Sequence, residues 1–165
     1  MLDLKITGGE VLDGSGRPAQ RMDVGVRDGR IVTLGDLRGE SADTVIEAEG
    51  RTVTPGFIDI HAHDDFNLPV NPAAYGKIMQ GVTTVVNGNC GMSPAPLSEA
   101  KRQQGIDLCM NQDSGLSWNW HSMGEYLDAM PEMGVNVCQL VGHSAVRVAA
   151  LGNEDRGPTD RELDT

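Results

Sequence analysis

The sequence predicts an α/β protein in which a small β unit precedes an α/β sheet. Residues 2–54 contain short strand-like runs separated by glycine turns, which is typical of a small β unit. From residue 55 onward, apolar strand-like runs alternate with helix-like segments, a pattern that favours a sheet covered by helices. A hydrophobic content of 39% and a mean hydropathy of −0.28 fit a globular protein rather than a disordered one.

The first part of the chain carries a strong hairpin signal. Residues 23–26 and 30–34 are strand-like and flank Asp28-Gly29, a dipeptide that favours the tight turn of a β-hairpin. Gly8-Gly9 is predicted to end the first strand of the chain. The other strands of this part are predicted at residues 2–7, 10–13, 44–48 and 51–54. We therefore expect a small antiparallel β unit.

The second part begins with a β-α-β pattern. Residues 57–60 are apolar apart from one acid, as expected of a strand that is buried on both faces. Residues 72–80 predict a helix, with Pro72 in its first turn and Gly81 just after its end. Residues 82–87 form the next apolar, β-branched strand, so two parallel strands joined by a helix are expected.

A second helix and a third strand follow this unit. Apolar residues at helical spacing predict a helix over residues 122–133, and residues 135–141 predict a strand that leads into a short helix over 145–151. Trp118 and Trp120 fall in a long irregular connection and are predicted to lie at the surface. Functional residues of such a sheet are expected at the carboxyl ends of its strands.

The charge balance restricts the partners of the chain. Thirteen Lys and Arg residues against 24 Asp and Glu residues give a net charge of −11. Nucleic acids and anionic membranes attract cationic surfaces, so we expect neither as a partner. The chain contains three cysteines, an odd number without the spacing of a disulfide framework, which favours a reducing compartment. The sequence thus predicts a cytoplasmic protein and leaves the oligomeric state open.

The most informative segment is His61-Ala62-His63, which directly follows the first apolar strand of the second part. Successive side chains of an extended strand point to opposite faces, so the two imidazoles emerge on the same side. Cys90 follows the next strand, and imidazole nitrogen together with thiolate sulfur suits a divalent metal such as zinc. The alternative is a pair of hydrogen-bonded core histidines and a small buried thiol. We expect the three side chains to converge on one metal.

Several other polar residues lie close to the predicted site in the sequence. His143 comes just beyond the third strand, where it faces the site or orients a loop. Asp64 or Asp65 is a candidate partner that orients an imidazole, and the alternative is a solvated or capping acid. Asn89 is a candidate for contact with the substrate or with a metal ligand. Two cysteines without such surroundings are predicted to be structural: Cys109 and Cys138.

Residues 56–65, Gly-Phe-Ile-Asp-Ile-His-Ala-His-Asp-Asp, resemble the metal-binding signature of the amidohydrolase superfamily. The preceding β unit and the Gly-Val-Thr-Thr-Val run at residues 81–85 match the layout of the same superfamily. Two further elements make the chain similar to the N-acyl-D-amino-acid deacylases, or D-aminoacylases: Asn89-Cys90-Gly91 and the Leu-Val-Gly-His-Ser run at 140–144. The resemblance extends through essentially the whole chain, and the cysteine element is its most specific part.

This resemblance implies a metal-dependent (β/α)8 TIM barrel together with a small β-sandwich that both chain ends build. Residues 1–54 would form the N-terminal part of the sandwich domain, and residues 55–165 the first part of the catalytic barrel. The chain has 165 residues, fewer than the ~250 typical of such a barrel alone. We therefore expect an N-terminal fragment of α/β class in which the barrel is incomplete.

The resemblance also implies the chemistry of the site. His61, His63 and Cys90 match ligands of one or two zinc ions, whereas two later histidines and the general-base aspartate are expected beyond Thr165. No catalytic residue is therefore expected within this chain, and the chain alone is expected to be inactive. The complete protein would be a zinc-dependent amidohydrolase acting on carbon–nitrogen bonds other than peptide bonds.

The implied reaction converts a small N-acyl-D-amino acid to a D-amino acid and a carboxylate, by hydrolysis of a linear amide. One alternative is a cyclic amidase of the dihydroorotase or hydantoinase kind, or a deaminase, in the same superfamily. These enzymes would have no role for Cys90. The other alternative is a non-catalytic metal-binding fragment.

Overall fold

The computed structural model describes residues 1–109 and 115–164. The chain divides into two units, Met1–Pro55 and Gly56–Thr165. The first unit is built on one five-stranded sheet, and the second unit contains a three-stranded sheet with short helices. Among the described residues, no helix combines the length and the apolar character needed to cross a membrane.

The first unit is a mixed sheet. β1 (Leu2–Val11), β2 (Gln20–Arg27) and β3 (Arg30–Gly35) are antiparallel neighbours. β4 (Ala42–Glu47) and β5 (Thr52–Val53) both pair with β1 in parallel orientation. The prediction of a wholly antiparallel unit is therefore wrong. The reason is that the chain after β3 crosses to the free edge of β1 instead of folding back on the strand before it.

Local signals explain one turn of this sheet and fail for another. The hairpin at Asp28-Gly29 is confirmed, since β2 and β3 pair antiparallel on either side of it. The predicted end of the first strand at Gly8-Gly9 is wrong, because β1 continues through both glycines. A bulge places Thr7 and Gly8 opposite one residue of β2, and Gly9 is again paired, with Met22. The amide of Gly8 donates a hydrogen bond of 2.9 Å to Oδ1 of Asp23. A side-chain acceptor therefore replaces the backbone acceptor that the bulge removes.

The sheet of the second unit is parallel, in the order β6 (Phe57–Asp59), β7 (Val82–Asn87) and β8 (Asn136–Gln139). The predicted β-α-β unit is confirmed, with α1 (Tyr75–Ile78) between the first two of these strands. The other helices of this unit are α2 (Arg102–Leu108), α3 (Met123–Asp128), α4 (His143–Leu151) and α5 (Asp160–Leu163). Of these four, α2 and α5 were not predicted from the sequence.

The helices are shorter or begin elsewhere than the sequence predicts. α1 starts late because Ala74 has a left-handed backbone with φ of 49°. α3 begins with a capping box between Ser122 and Glu125 and ends before Pro131, which has no amide hydrogen to continue the helix. α4 begins at His143, two residues before its predicted start at 145. The carboxyl end of β8 is therefore joined to α4 by a short connection.

The sheet packs its central strand into a small core and leaves an edge strand exposed. Val85 of β7 is fully buried in a cluster with Ala62, Leu68, Ala74 and Val135. The prediction that residues 57–60 are buried on both faces is wrong. Phe57, Ile58 and Ile60 are 59%, 61% and 74% exposed, because β6 pairs within the described residues only with β7.

A second cluster of the same unit contains Ala95, Leu97, Trp120 and Tyr126. The predicted surface position is wrong for Trp120, which is only 4% exposed. Its indole nitrogen donates a hydrogen bond of 2.8 Å to the carbonyl of Pro94, as a buried indole requires. Trp118 is half-buried, with its ring 5.5 Å from that of Trp120.

Candidate metal centre

Two segments at the carboxyl edge of the parallel sheet carry the predicted metal ligands. The histidine segment, residues 60–65, follows β6, and the cysteine loop, residues 88–91, follows β7. Nε2 of His61 lies 3.2 Å from Sγ of Cys90. One ligand atom each of His61, His63 and Cys90 lies within 4.8 Å of the others. The structure thus brings together the three side chains that the sequence singled out.

This group fits a zinc ion by its spacing and by its donor atoms. Zinc–nitrogen and zinc–sulfur bonds in a tetrahedral site separate neighbouring ligand atoms by roughly 3.4–3.6 Å. The 4.8 Å limit on the separations in this group needs only small side-chain movements to reach that geometry. Nδ1 of His63 is buried and has no hydrogen-bond partner in the described structure. A buried nitrogen without a partner is costly, and a metal ion is one group that would satisfy this imidazole.

The cysteine loop is held by its backbone. Cys90 has a left-handed conformation with φ of 55°, which is strained for a residue with a side chain. Gly88 precedes it with φ of 81°, and a Cβ atom at this position would lie 2.1 Å from the carbonyl oxygen of Leu140. Only glycine therefore lets the loop approach the chain that follows β8 so closely. The close contact between Gly88 and Leu140 therefore fixes the position of the cysteine loop.

Asn89 ties the cysteine loop to the histidine segment. Its Nδ2 donates to the carbonyl of Val86 at 2.7 Å and to the carbonyl of Ala62 at 3.2 Å. Ala62 lies between the two histidines, and its amide donates to the Val86 carbonyl at 3.0 Å. Asn89, a predicted substrate or ligand contact, therefore makes contacts that fix the relative position of the ligands.

Asp65 is fully buried rather than solvated. Oδ1 of this residue accepts a hydrogen bond of 2.6 Å from Gln139 of β8, and its backbone carbonyl accepts one of 2.7 Å from the Tyr126 hydroxyl. Burial raises the pKa of the Asp65 carboxyl, while the Gln139 hydrogen bond opposes that shift. Oδ2 has no partner in the described structure. Asp65 thus links the histidine segment to β8 and α3.

A cation that the sequence interpretation missed, Lys77 of α1, lies beside the histidine segment. Its Nζ is 2.7 Å from Oδ2 of Asp59 and 2.8 Å from Oδ2 of Asp64. The first contact is also a hydrogen bond, whereas the angle of the second departs from hydrogen-bond geometry. The Lys77 hydrogen bond lowers the pKa of Asp59, and the two carboxylates raise the pKa of Lys77 although burial acts against them. One signal was present: Lys77 is the only Lys or Arg between Arg51 and Lys101.

The remaining candidates lie outside the three-residue group. His143 is exposed at the start of α4 and lines a largely apolar cavity of about 520 Å³ beside that helix. Cys109 is buried, and burial raises the pKa of its thiol to about 12, which fits the predicted structural role. Cys138 is exposed on β8. Among the described residues, the group that could hold a metal does not include these three residues.

Comparison with known proteins identifies the family of this chain. A model of the amidohydrolase family matches residues 44–162, more than half of the chain. The chain therefore belongs to the amidohydrolase family.

Within this family, the chain is similar to D-aminoacylases over nearly its whole length. It is 44% identical over 163 residues to a D-aminoacylase of Alcaligenes xylosoxydans xylosoxydans, covering 98% of this chain and 33% of that protein. A D-aminoacylase studied for its binuclear metal centre has a TM-score of 0.88 and 40% identity, over 99% of this chain and 34% of that one.

A second solved relative is an N-acyl-D-glutamate deacylase from Bordetella bronchiseptica, in complex with zinc and a phosphonate mimic of the tetrahedral intermediate. It has a TM-score of 0.85 and 41% identity, over 99% of this chain and 34% of that one. The resemblance to the deacylases and the partial amidohydrolase-type α/β fold are thus confirmed. The chain spans about a third of the length of these relatives.

Proposed function

We propose that this chain supplies the first part of a zinc-dependent hydrolase that converts N-acyl-D-amino acids to D-amino acids and carboxylates. The observation that carries the proposal is the convergence of His61, His63 and Cys90 at the carboxyl edge of the parallel sheet. Its support is the similarity to D-aminoacylases over 98% of this chain. The activity is proposed for the complete protein, meaning this chain together with the segments that its relatives have in addition.

The proposal assigns a role to each part of the chain. Residues 1–54 form part of a small β-sandwich domain, and residues 55–165 form the first strands and helices of a TIM barrel. His61, His63 and Cys90 hold one or two zinc ions, while the remaining ligands and a general-base aspartate come from the rest of the complete protein. When bound, zinc would polarise the acyl carbonyl of the substrate and lower the pKa of a coordinated water toward about 7.

The residues of this chain prepare the site. Cys90 binds as the thiolate, so its proton must leave Sγ, and the two histidines bind through neutral imidazole nitrogens. Asn89 holds the cysteine loop against the backbone between the histidines, through its bonds to Val86 and Ala62. Asp65 fixes the end of the histidine segment to β8 through Gln139. These contacts reduce the reorganisation that metal binding requires.

We also propose the substrate class and the cellular compartment of the complete protein. A small N-acyl amino acid is the substrate, and the net charge of −11 favours neither nucleic acid nor an anionic membrane as a partner. The cytoplasm is the proposed compartment, because free cysteines are stable there and one of the three is a proposed ligand.

The test is a substrate panel for the complete protein, loaded with zinc. N-acetyl-D-amino acids, their L enantiomers, a hydantoin and an aminopurine would be supplied separately. Free amino acid would report hydrolysis of the linear amides, N-carbamoyl amino acid opening of the hydantoin, and ammonia deamination of the aminopurine. We expect turnover of the D-configured linear amides only. Turnover of the hydantoin or the aminopurine, without turnover of the linear amides, would instead identify a cyclic amidase or a deaminase.

A further inference from the structure

A half-buried lysine pairs with two carboxylates next to the candidate histidine ligands, and none of these three residues is itself a candidate ligand. We call the contacts of Lys77 Nζ with Asp59 Oδ2 at 2.7 Å and Asp64 Oδ2 at 2.8 Å the Lys77 bridge. Lys77 belongs to α1, Asp59 ends β6, and Asp64 opens the short helical turn after the second histidine. One cation therefore joins three separate elements.

The bridge is better shielded from solvent than a surface ion pair of the first unit. The side chains of Lys77, Asp59 and Asp64 are 23%, 31% and 19% exposed. By contrast, the side chains of the Arg21–Glu49 pair are 65% and 77% exposed. Exposed pairs contribute little because water and salt screen them, whereas breaking a shielded pair leaves charges in a poorly solvated place.

The two carboxylates of the bridge flank both candidate histidine ligands. Asp59 lies two residues before His61, and its Oδ1 accepts a hydrogen bond of 3.3 Å from the His61 amide. Asp64 directly follows His63, and its amide donates a bond of 3.3 Å to Oδ1 of Asn87 in β7. The bridge thus holds the chain two residues before His61 and directly after His63.

We propose that Lys77 is a positioning residue of the metal site: it holds Asp59 and Asp64 on α1, so that imidazole and thiolate, not carboxylate, face the metal. The proposal rests on the proposed function, since it needs a metal at His61, His63 and Cys90. Without the cation, two carboxylates next to the ligands lose their partner. They then repel each other and become free to turn toward a divalent cation, for which they are competent ligands.

The experiment compares Lys77→Met, Lys77→Arg and Asp64→Asn in the complete protein, with Lys101→Met as the matched control. Lys101 is a half-buried lysine of the same unit, and its Nζ bonds to the carbonyl of Ala150 in α4. Zinc affinity would be measured by competition with a chromophoric chelator. Cobalt(II) would replace zinc in a second measurement, because its visible spectrum reports the donor set and the geometry.

Lys77→Met should weaken zinc binding about 10- to 100-fold, the range found when contacts that orient metal ligands are lost. The cobalt spectrum should shift toward that of a site with more oxygen donors. Asp64→Asn should lose less affinity, because the pair with Asp59 remains. Lys77→Arg should recover most of the affinity, since its guanidinium also pairs with carboxylates, and Lys101→Met should match the wild type.

Wild-type affinity and an unchanged cobalt spectrum for Lys77→Met would overturn the role of Lys77 and leave the proposed function standing. Absence of zinc binding by the wild type, or binding that His61→Ala and Cys90→Ala do not alter, would overturn the proposed function together with this inference. If Lys77→Met does not fold, the order of affinities wild type, Lys77→Arg and Asp64→Asn decides. Equal affinities for all three would also overturn the role of Lys77.

Discussion

The histidine segment and the cysteine loop lie at the same edge of one sheet, but different forces hold them. Charged and polar side chains from other elements hold the histidine segment, through Lys77 on one side and Gln139 bound to Asp65 on the other. The cysteine loop is held by backbone shape, with a left-handed Cys90 and the close approach of Gly88 to Leu140. Substitutions should therefore act through charge in the first segment and through steric exclusion in the second.

The largest effect on activity and zinc content is expected when a candidate metal ligand is removed. Cys90→Ala in the complete protein should abolish deacylase activity and remove most of the bound zinc, because the site loses its proposed thiolate ligand. Metal content by mass spectrometry and hydrolysis of an N-acetyl-D-amino acid are the measurements. Cys138→Ala, which changes an exposed cysteine of β8, is the control and should retain both properties. Full activity of the Cys90 variant would favour the enzymes of the family that need no cysteine ligand.

Steric exclusion in the cysteine loop predicts the next largest effect. Gly88→Ala should lower the free energy of unfolding by roughly 2–4 kcal/mol, since a Cβ atom adds both a left-handed strain and a clash with the chain. Urea denaturation of the metal-free protein measures this change. Gly76→Ala is the matched control, because no atom lies within 4 Å of a Cβ at that helical position. Equal destabilisation by the two substitutions would show that the loop can move aside.

The hydrogen bonds between the two segments predict a smaller effect. Asn89→Ala removes the bonds to Val86 and Ala62 and should cost about 1–3 kcal/mol of stability. Zinc affinity should fall about tenfold, because the loop no longer fixes the distance between cysteine and histidines. Asn136→Ala, which removes one bond to the Thr83 carbonyl, is the control and should leave zinc affinity unchanged. An Asn89 variant with wild-type affinity would show that the backbone alone positions the loop.

The smallest effect concerns a thiol outside both segments. Burial raises the pKa of Cys109 from 9.0 to about 12, so the folded protein keeps this thiol protonated while the unfolded chain ionises. Stability from this group is therefore complete below pH 9.0 and is lost as the pH rises toward 12. Urea midpoints measured from pH 8 to pH 11 should fall less steeply in Cys109→Ala than in the wild type. Identical slopes would show that the thiol is not sheltered.

Some features of the site could be predicted from the sequence, and others could not. His61, His63 and Cys90 were predictable because each follows a strand, and parallel strands bring their carboxyl ends to one edge. Lys77 was not predictable in its role, because its partners are 18 and 13 residues away and depend on which face of a short helix packs on the sheet. The burial of Trp120 also escaped prediction, since it requires a carbonyl acceptor from a distant loop.

In the fold as well, features set by local sequence were predictable and long-range strand pairings were not. The Asp28-Gly29 hairpin and the β-α-β order follow from local signals that the chain carries in sequence. The parallel pairing of β4 and β5 with β1 could not be predicted, because local propensity does not state which free strand edge a later strand will join.

The sequence by itself determined the β-α-β pattern of the second unit, the three candidate ligands and the family to which the chain belongs. These features depend on residue type and on short spacing, which the chain carries before it folds. Only the tertiary structure decided that Lys77 bridges Asp59 and Asp64, that Asp65 is buried, and that Gly88 must lack a side chain. Each of these depends on atoms from segments far apart in sequence, and packing alone brings such atoms into contact.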